Sequence, residues 1–313
     1  TFTRYLLGQA LSFLVPLWGV LTLVFLGMRA LPGDAATILG GMDASAEQIA
    51  VIRERLGLAG SLGVQYVGFI GDVARGDLGD SLRERRPVTA VLLDRLPVTL
   101  ALAALAFVIS LAIGVGLGLL AGLKPGGLFD RVTTLFATAA LALPEFWFGF
   151  LLILLFAVNL GWFPVLGLPP TGLSWQASWH LLLPAVTLAI PRSAQVARLT
   201  RAQVLEQRRA DYVRTARSKG LAGHAVARHI AANALPGVLP LLALELGGLL
   251  TGTIVVEQVF GLPGLGATIL GAISARDYPV VQGVTLLAVV VYVGVNWVAD
   301  LLQLVADPRL RTA

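Results

Sequence analysis

The sequence predicts an all-α integral membrane protein of six transmembrane helices with both termini cytoplasmic. Three observations carry that expectation. Of 313 residues, 57% are hydrophobic and only 13% are charged, too few polar groups to clothe a soluble core of this size. The apolar residues are gathered into six long runs, each near the ~20 residues that cross the hydrocarbon core. The basic residues fall unevenly between the segments that join those runs, as membrane topology demands.

The runs lie at 10–28, 97–121, 132–158, 179–199, 235–256 and 280–304. The first exceeds the apolar region of a usual secretory signal, and no clear small-x-small cleavage site follows it. It is read as a retained helix. The second repeats Gly114, Gly118 and Gly122 at four-residue spacing, with Gly116 between, the pattern that lets two helix backbones approach closely. The third contains Pro144, which is expected to kink it. The fourth contains Pro184, Pro191 and Arg192, so hydropathy leaves its inner end open.

With the amino terminus inside, the cytoplasmic segments hold Arg4, Lys124 and Arg131, nine basic residues from Arg192 to Arg228, then Arg309 and Arg311. The outer segment 159–178 has none, and 258–279 has only Arg276. The outer segment 29–96 carries eight basic residues against nine acidic ones, and long loops weigh little in this count. That segment reads as folded. Ser45 and Gln48 have capping-box spacing, Gly57 is a helix stop, and Ile49, Ile52 and Leu56 share one helical face. Such a short amphipathic helix rests on the membrane or serves as a contact for a partner. The expected organisation is a helix plus folded extracytoplasmic loop over 1–96, a membrane domain over 97–305 with a cytoplasmic loop at 192–235, and a cytoplasmic tail over 306–313.

The net charge of +5 is explained by topology and does not call for nucleic acid. With no cysteine and two methionines, thiolate metal sites and a bare soft-metal pathway are disfavoured. Residues 261–268 are glycine-rich but lack the lysine of a phosphate loop, so ATP is not expected on this chain. His180, His224 and His229 form no metal-ligand pattern, and no catalytic constellation is evident. The chain is read as non-enzymatic.

Ionisable groups inside a bilayer are costly and often functional. Glu145 follows Pro144 within the third run, and Glu245 lies centrally in the fifth. Two readings stand for both: they line a polar translocation path, or they are buried partners that hold helices together. Proton coupling through one of them, in a secondary transporter, is the runner-up function. Glu257 and Asp300 sit nearer the surfaces, and Asn296 suits an interhelical hydrogen bond.

The loop 192–235 is too long for a simple turn. Helix formers fill 198–217, which predicts that the fourth helix continues beyond the membrane surface. A break is expected at 220–223, then a second helical piece to Asn233, with Pro236 near the start of the fifth span. Positive-inside topology accounts for the loop's charge but not for its length or layout.

The run D-Y-V-R-T-A-R-S-K-G-L at 211–221, followed by R-H-I-A-A-N-A-L-P at 228–236, resembles the cytoplasmic signature of ABC importer permeases, in the form found in dipeptide, oligopeptide and nickel permeases. The general motif E-A-A-x-x-x-G with a later I-x-L-P is met at Ala216, Gly220 and Ile230. Arg214 replaces its Glu, Thr215 its first Ala, and Leu235–Pro236 comes three residues late, departures shared by the peptide branch. Further likeness lies in L-P-G-D at 31–34, G-D-L-G-D-S at 76–81, P-V at 87–88, R-L-P-V-T-L at 95–100, E-Q-V-F-G-L-P-G-L-G at 257–266 and R-D-Y-P at 276–279. Together they resemble the B-type subunit of the permease pair.

That resemblance implies a type I ABC importer permease fold in a bacterial or archaeal plasma membrane, the inner one where there are two. It implies a homologous second permease, two ATPase subunits that bind ATP and Mg, and an extracytoplasmic substrate-binding protein. Asp211, Tyr212, Arg214, Thr215, Ala216, Arg217, Lys219, Gly220 and Leu221 would form the coupling segment that docks on the ATPase. Ala216 would permit close approach, Gly220 would turn the chain, and the cations would meet acidic groups. The implied substrate is a di- or oligopeptide; nickel or a metal chelate, glutathione and short glycans are the alternatives.

Overall fold

The computed structural model describes residues 2–30, 36, 44–55, 60–169 and 174–306. The L-P-G-D segment at 31–34, Leu56, the expected stop at Gly57, and the tail from 307 lie outside them. The chain divides into two compact units, Thr1–Leu96 with Ala267–Val293, and Pro97–Gly266 with Gly294–Ala313.

The first unit contains α1 (Phe2–Ala30), α2 (Ala46–Arg55) and α3 (Leu62–Arg75). It also holds the start of α4 (Val88–Leu123), most of α11 (Leu265–Ser274) and most of α12 (Tyr278–Ala306). The capping box ahead of α2 is formed: the Gln48 N–H donates to Ser45 Oγ at 3.2 Å, and the Ser45 N–H donates to Gln48 Oε1 at 2.9 Å. Helix α3 was not foreseen. Gly76, at φ 78°, ends it in the left-handed conformation, a role for which glycine carries no Cβ penalty. The buried Phe25 of α1 packs its ring on Tyr66 and Phe69 of α3, and Thr22 shares a 2.7 Å hydrogen bond with the Tyr66 hydroxyl.

Two motif segments far apart in sequence meet in this unit. The buried Asp277 carboxylate accepts hydrogen bonds from Ser81 Oγ at 2.6 Å and from the N–H groups of Leu82 and Arg83 at 3.1 and 3.2 Å. Three donors on one carboxylate satisfy a charge that would otherwise be expensive to bury. Val88 and Val91 are fully buried, so α4 begins before Pro97, the first residue of the expected span.

The second unit continues α4 and adds α5 (Leu128–Ala142) and α6 (Glu145–Leu152), the latter running on as a π-helical stretch Ile153–Asn159. Next come α7 (Trp175–Arg208), α8 (Asp211–Ser218) and α9 (Gly223–Ala234). A 3₁₀ turn, Leu235–Val238, leads into α10 (Leu239–Val259). The third apolar run is therefore not one helix: its halves are bent by 104°. Leu143, with ψ 129°, is extended because the residue before proline is steered away from the α conformation.

Helix α7 is the hub, packing against α5, α6, α9 and α10. Its contact with α4 is the glycine seam. A Cβ on Gly114 would fall 2.6 Å from Val196 Cβ, one on Gly118 2.5 Å from Thr200 Cβ, and one on Gly122 2.6 Å from Val204 Cβ. Gly116 faces no neighbour within 4 Å. Leu102, Ala106, Leu181, Ala185, Leu188, Leu249, Val256 and Phe260 form the main core of this unit. Among the described residues, Val88–Leu123, Gly223–Leu249 and Tyr278–Trp297 are long and apolar enough to cross a membrane, and the bent pair makes a fourth candidate.

Candidate functional site

The segment expected to couple, 211–221, folds as a short helix, α8, seated on a small apolar cluster. Val213 is 1% exposed and packs with Val204, Val226, Ile230 and Ala234, flanked by Tyr212 and Ala216. Positions 212, 213 and 216 lie on one face of a 3.6-residue helix, which fixes how α8 lies. Ala216 is part-buried, and its small side chain admits close approach within this chain, against the α8–α9 cluster. Tyr212 also faces inward, donating its hydroxyl to Gln207 Oε1 at 3.2 Å.

Asp211, Arg214, Thr215, Arg217, Lys219, Gly220 and Leu221 occupy the exposed side. Gly220 has φ 77°. Its N–H donates to the Arg217 carbonyl at 2.9 Å, and the Leu221 N–H reaches the Ala216 carbonyl at 3.2 Å. This Schellman closure satisfies the last carbonyls and turns the chain towards α9. A second break was not foreseen. Helix α7 stops at Arg208, and Ala210 is extended at ψ 147°, so α8 is a separate element and not the end of a long fourth helix. No carboxylate lies within ion-pair distance of Arg214, Arg217 or Lys219 among the described residues. The exposed face is a basic surface with one acidic residue, Asp211, at its amino end, where the helix dipole favours it.

Two ionic joints bind α7, the helix that leads into this segment. Arg201 donates Nε to Asp130 Oδ1 at 2.5 Å and Nη2 to Oδ2 at 3.1 Å, while the Gly126 N–H donates to Oδ2 at 2.8 Å. The Arg201 guanidinium, then the Gly126 N–H, hold the Asp130 carboxyl below the usual carboxylate range. Arg208 Nη1 adds a bond to the Gly122 carbonyl at 3.0 Å. Neither Asp130 nor Arg201 was singled out in the sequence. Their separation of 71 residues gives no local signal, and Arg201 was counted only as topological charge.

The second joint brings Glu145 and Glu245 together through Arg192. Nη1 lies 3.3 Å from Glu245 Oε2, Nη2 lies 3.9 Å from Glu145 Oε1, and Nη2 also donates to the Gly248 carbonyl at 3.3 Å. Glu145 opens α6, where the helix dipole suits a carboxylate. Glu245 is 3% exposed. Gly248 and Gly252 make room: a Cβ on Gly248 would fall 2.6 Å from Nη1, and one on Gly252 3.5 Å from Nη2. One buried carboxylate and one part-buried carboxylate around a single guanidinium tie α6, α7 and α10, a geometry that suits the helix-holding reading and leaves the path-lining one open.

Glu257 is fully buried and accepts a 2.6 Å hydrogen bond from Thr99 Oγ1, which in turn accepts the Leu265 N–H at 2.8 Å. The R-L-P-V-T-L and E-Q-V-F-G-L-P-G-L-G segments are thus joined by one polar chain.

The profile of the family described as binding-protein-dependent transport system inner membrane component matches residues 114–312, and that of its N-terminal region matches residues 2–103. The chain is 39% identical to the di/tripeptide transport system permease protein DppB of Pseudomonas aeruginosa, over 97% of this chain and 98% of that protein. It is 37% identical to the glutathione transport system permease protein GsiC of Salmonella typhi, over 98% of this chain and 99% of that protein. A structure of the MetNI methionine ABC transporter in an inward-facing conformation superposes with a TM-score of 0.57 at 19% identity. It covers 70% of this chain and 97% of that one, and at that identity the likeness shows a shared helical fold. Two profiles that together span nearly the whole chain, with relatives matched end to end, place this protein in the family of binding-protein-dependent transport system inner membrane components.

Proposed function

We propose that this chain forms half of the translocation pathway of an ATP-driven peptide importer and couples to a separate ATPase through α8. The observation that carries the coupling role is the exposed basic face of α8, anchored from behind by Val213 and capped by Gly220. A helix held this way transmits a push to α7 and α9 instead of bending on its own. Arg214, Arg217 and Lys219 suit an acidic groove on the ATPase, where ATP and Mg would bind. Six spans with both termini cytoplasmic put α8 on the ATPase side. The working complex would include a homologous permease, two ATPases and an extracytoplasmic binding protein, in the plasma membrane or the inner membrane of a two-membrane cell.

A peptide cargo is supported by the relative that transports di- and tripeptides. Glutathione, itself a short peptide, is a second reading favoured by the 37% identical glutathione permease. In this reading Glu145 and Glu245 contribute to the pathway through their shared Arg192.

The test is charge reversal at Arg214 and Arg217 together, in the assembled complex. The double Glu variant is expected to lose ATPase co-purification and peptide uptake while still inserting in the membrane. Wild-type assembly and uptake would remove α8 from the coupling role. Uptake that persists without the ATPase and collapses with the proton gradient would replace the ABC reading altogether.

A further inference from the structure

The first unit contains a cavity that the transport reading does not use. Its volume is about 380 Å³, and its walls include Arg29, Gln65, Asp72, Asp77 and Gln282 alongside apolar Val64 and Phe69. That volume lies in the range of small-molecule sites. Arg29 is held in position for a ligand: Nε donates to Gln65 Oε1 at 2.8 Å, and the guanidinium carbon lies 3.6 Å from the centroid of the Phe25 ring. Stacking and one side-chain hydrogen bond fix the fork but do not neutralise it. No carboxylate lies within 4.0 Å of Arg29 among the described residues.

We infer that this cavity binds the headgroup of an ethanolamine phospholipid, its phosphate on Arg29 and its ammonium on the Asp72 and Asp77 side. The phosphate is the anion for which a preset guanidinium fork is best shaped. The carboxylates favour a cation that donates hydrogen bonds, which an ammonium does and a quaternary choline does not. Asp72 has an exposed pairing with Arg75 at 3.4 Å, a contact of small worth that a bound ammonium displaces readily. Asp77 keeps one oxygen on the Gly79 N–H at 2.9 Å and has the other available.

Position argues for lipid over a soluble zwitterion. Arg29 is the next-to-last residue of the apolar helix α1, and a long basic side chain at the end of such a helix extends its charge to the membrane interface, where lipid headgroups lie. The packed pair α1 and α3 exposes Leu23 and Leu26 from one helix and Val67 from the other. Apolar side chains outside a polar cavity reproduce the division between acyl chain and headgroup.

The experiment uses the complete transporter, reconstituted in nanodiscs with equal parts of dioleoyl phosphatidylethanolamine, phosphatidylcholine and phosphatidylglycerol, then re-extracted for lipid quantification by native mass spectrometry. Wild type should retain the ethanolamine lipid at least about fivefold over the choline lipid. Arg29→Gln should release both, and Asp72→Asn should flatten the preference between ethanolamine and glycerol headgroups. Gly68→Leu fills the cavity from a helical position with no neighbour within 4 Å and should abolish retention without touching a charge, which guards against a folding defect in the Arg29 variant. Equal retention of all three lipids, or unchanged retention in Gly68→Leu, overturns the inference. Saturable binding of diglycine in place of lipid also overturns it and assigns the cavity to a soluble zwitterion.

Discussion

Helix α7 carries two arginines nine residues apart, about 14 Å along the axis, and they are held in opposite ways. Arg201 is gripped by a single carboxylate through two nitrogens, with the Gly126 N–H completing the site. Arg192 is shared between two carboxylates at 3.3 and 3.9 Å and leans on a backbone carbonyl. The first arrangement has one geometry and resists rotation. The second is looser, with longer contacts and two acceptors on different helices between which the guanidinium is divided. The stretch of α7 nearest α8 is thus held by a fixed joint, and its middle, which reaches Glu145 beside the Pro144 break, by a yielding one. A push on α8 would be carried by the first and absorbed as rearrangement by the second.

The comparison is broken most severely through the glycine seam that holds α4 along α7 between Ser193 and Val204, the stretch that separates the two arginines. Gly118→Leu places a side chain where even a Cβ meets Thr200 Cβ at 2.5 Å and the Ala197 carbonyl oxygen at 2.7 Å. It should destabilise the chain by about 3 kcal/mol, read as the loss of thermal stability in detergent. Gly116→Leu, with nothing within 4 Å, is the control and should leave the melting temperature nearly unchanged.

The fixed joint comes next. Asp130→Ala strands a guanidinium that is about one-third exposed, so the cost should be about 2 kcal/mol, below the range for a fully enclosed pair. Its pH dependence has a definite sign. Because Arg201 depresses the folded-state pKa of Asp130, the stabilisation is complete above the unfolded carboxylate value of about 4 and is lost as pH falls through the lower folded value. The melting-temperature gap between wild type and Asp130→Ala should therefore hold steady from neutral pH to about 4 and narrow below it. A gap that widens in acid would contradict the clamp.

The yielding joint sharpens the contrast through a double-mutant cycle. Glu145→Gln or Glu245→Gln alone leaves Arg192 one carboxylate and should cost less than about 1 kcal/mol. Together they leave it none, and the double variant should exceed the sum of the singles by about 1 kcal/mol. Strict additivity would mean that the two glutamates do not share the arginine. The smallest effect is expected at Gly220, where alanine must adopt φ 77°; Gly220→Ala should cost about 1 kcal/mol or less but lower transport-stimulated ATP hydrolysis. Unchanged stimulation would separate this turn from coupling.

Local patterns were legible in the sequence and distant pairings were not. The four-residue glycine period, the Ser45–Gln48 box and the turn at Gly220 each depend on neighbours within one or two helical turns. Proline marked the position of the break at 144, but its angle depends on what each half packs against. Helix α3 is hard to read from sequence because its apolar residues do not form a long run and its N-cap residue, Ser61, makes no side-chain capping bond, although Gly76 closes it in the left-handed conformation. The orientation of α8 is subtler: a small residue such as Ala216 permits close approach, yet sequence does not say whose backbone approaches, and in the fold Ala216 packs part-buried beside the Val213 cluster. Asp130 and Arg201 are invisible in the sequence because 71 residues separate them and because the charge of Arg201 already has a topological explanation.

The Asp277 carboxylate also bears on how the chain is made. Its three donors lie 194 to 196 residues earlier, so during synthesis the turn at 81–83 emerges long before the carboxylate that closes it. Until residue 277 has been delivered, the first unit lacks its central acceptor, and three polar hydrogens must remain with water or a chaperone. Closing the first unit therefore belongs to a late stage of synthesis. A chain truncated before the final span would leave a recognisably unfinished surface, giving the cell a physical basis for telling complete subunits from partial ones.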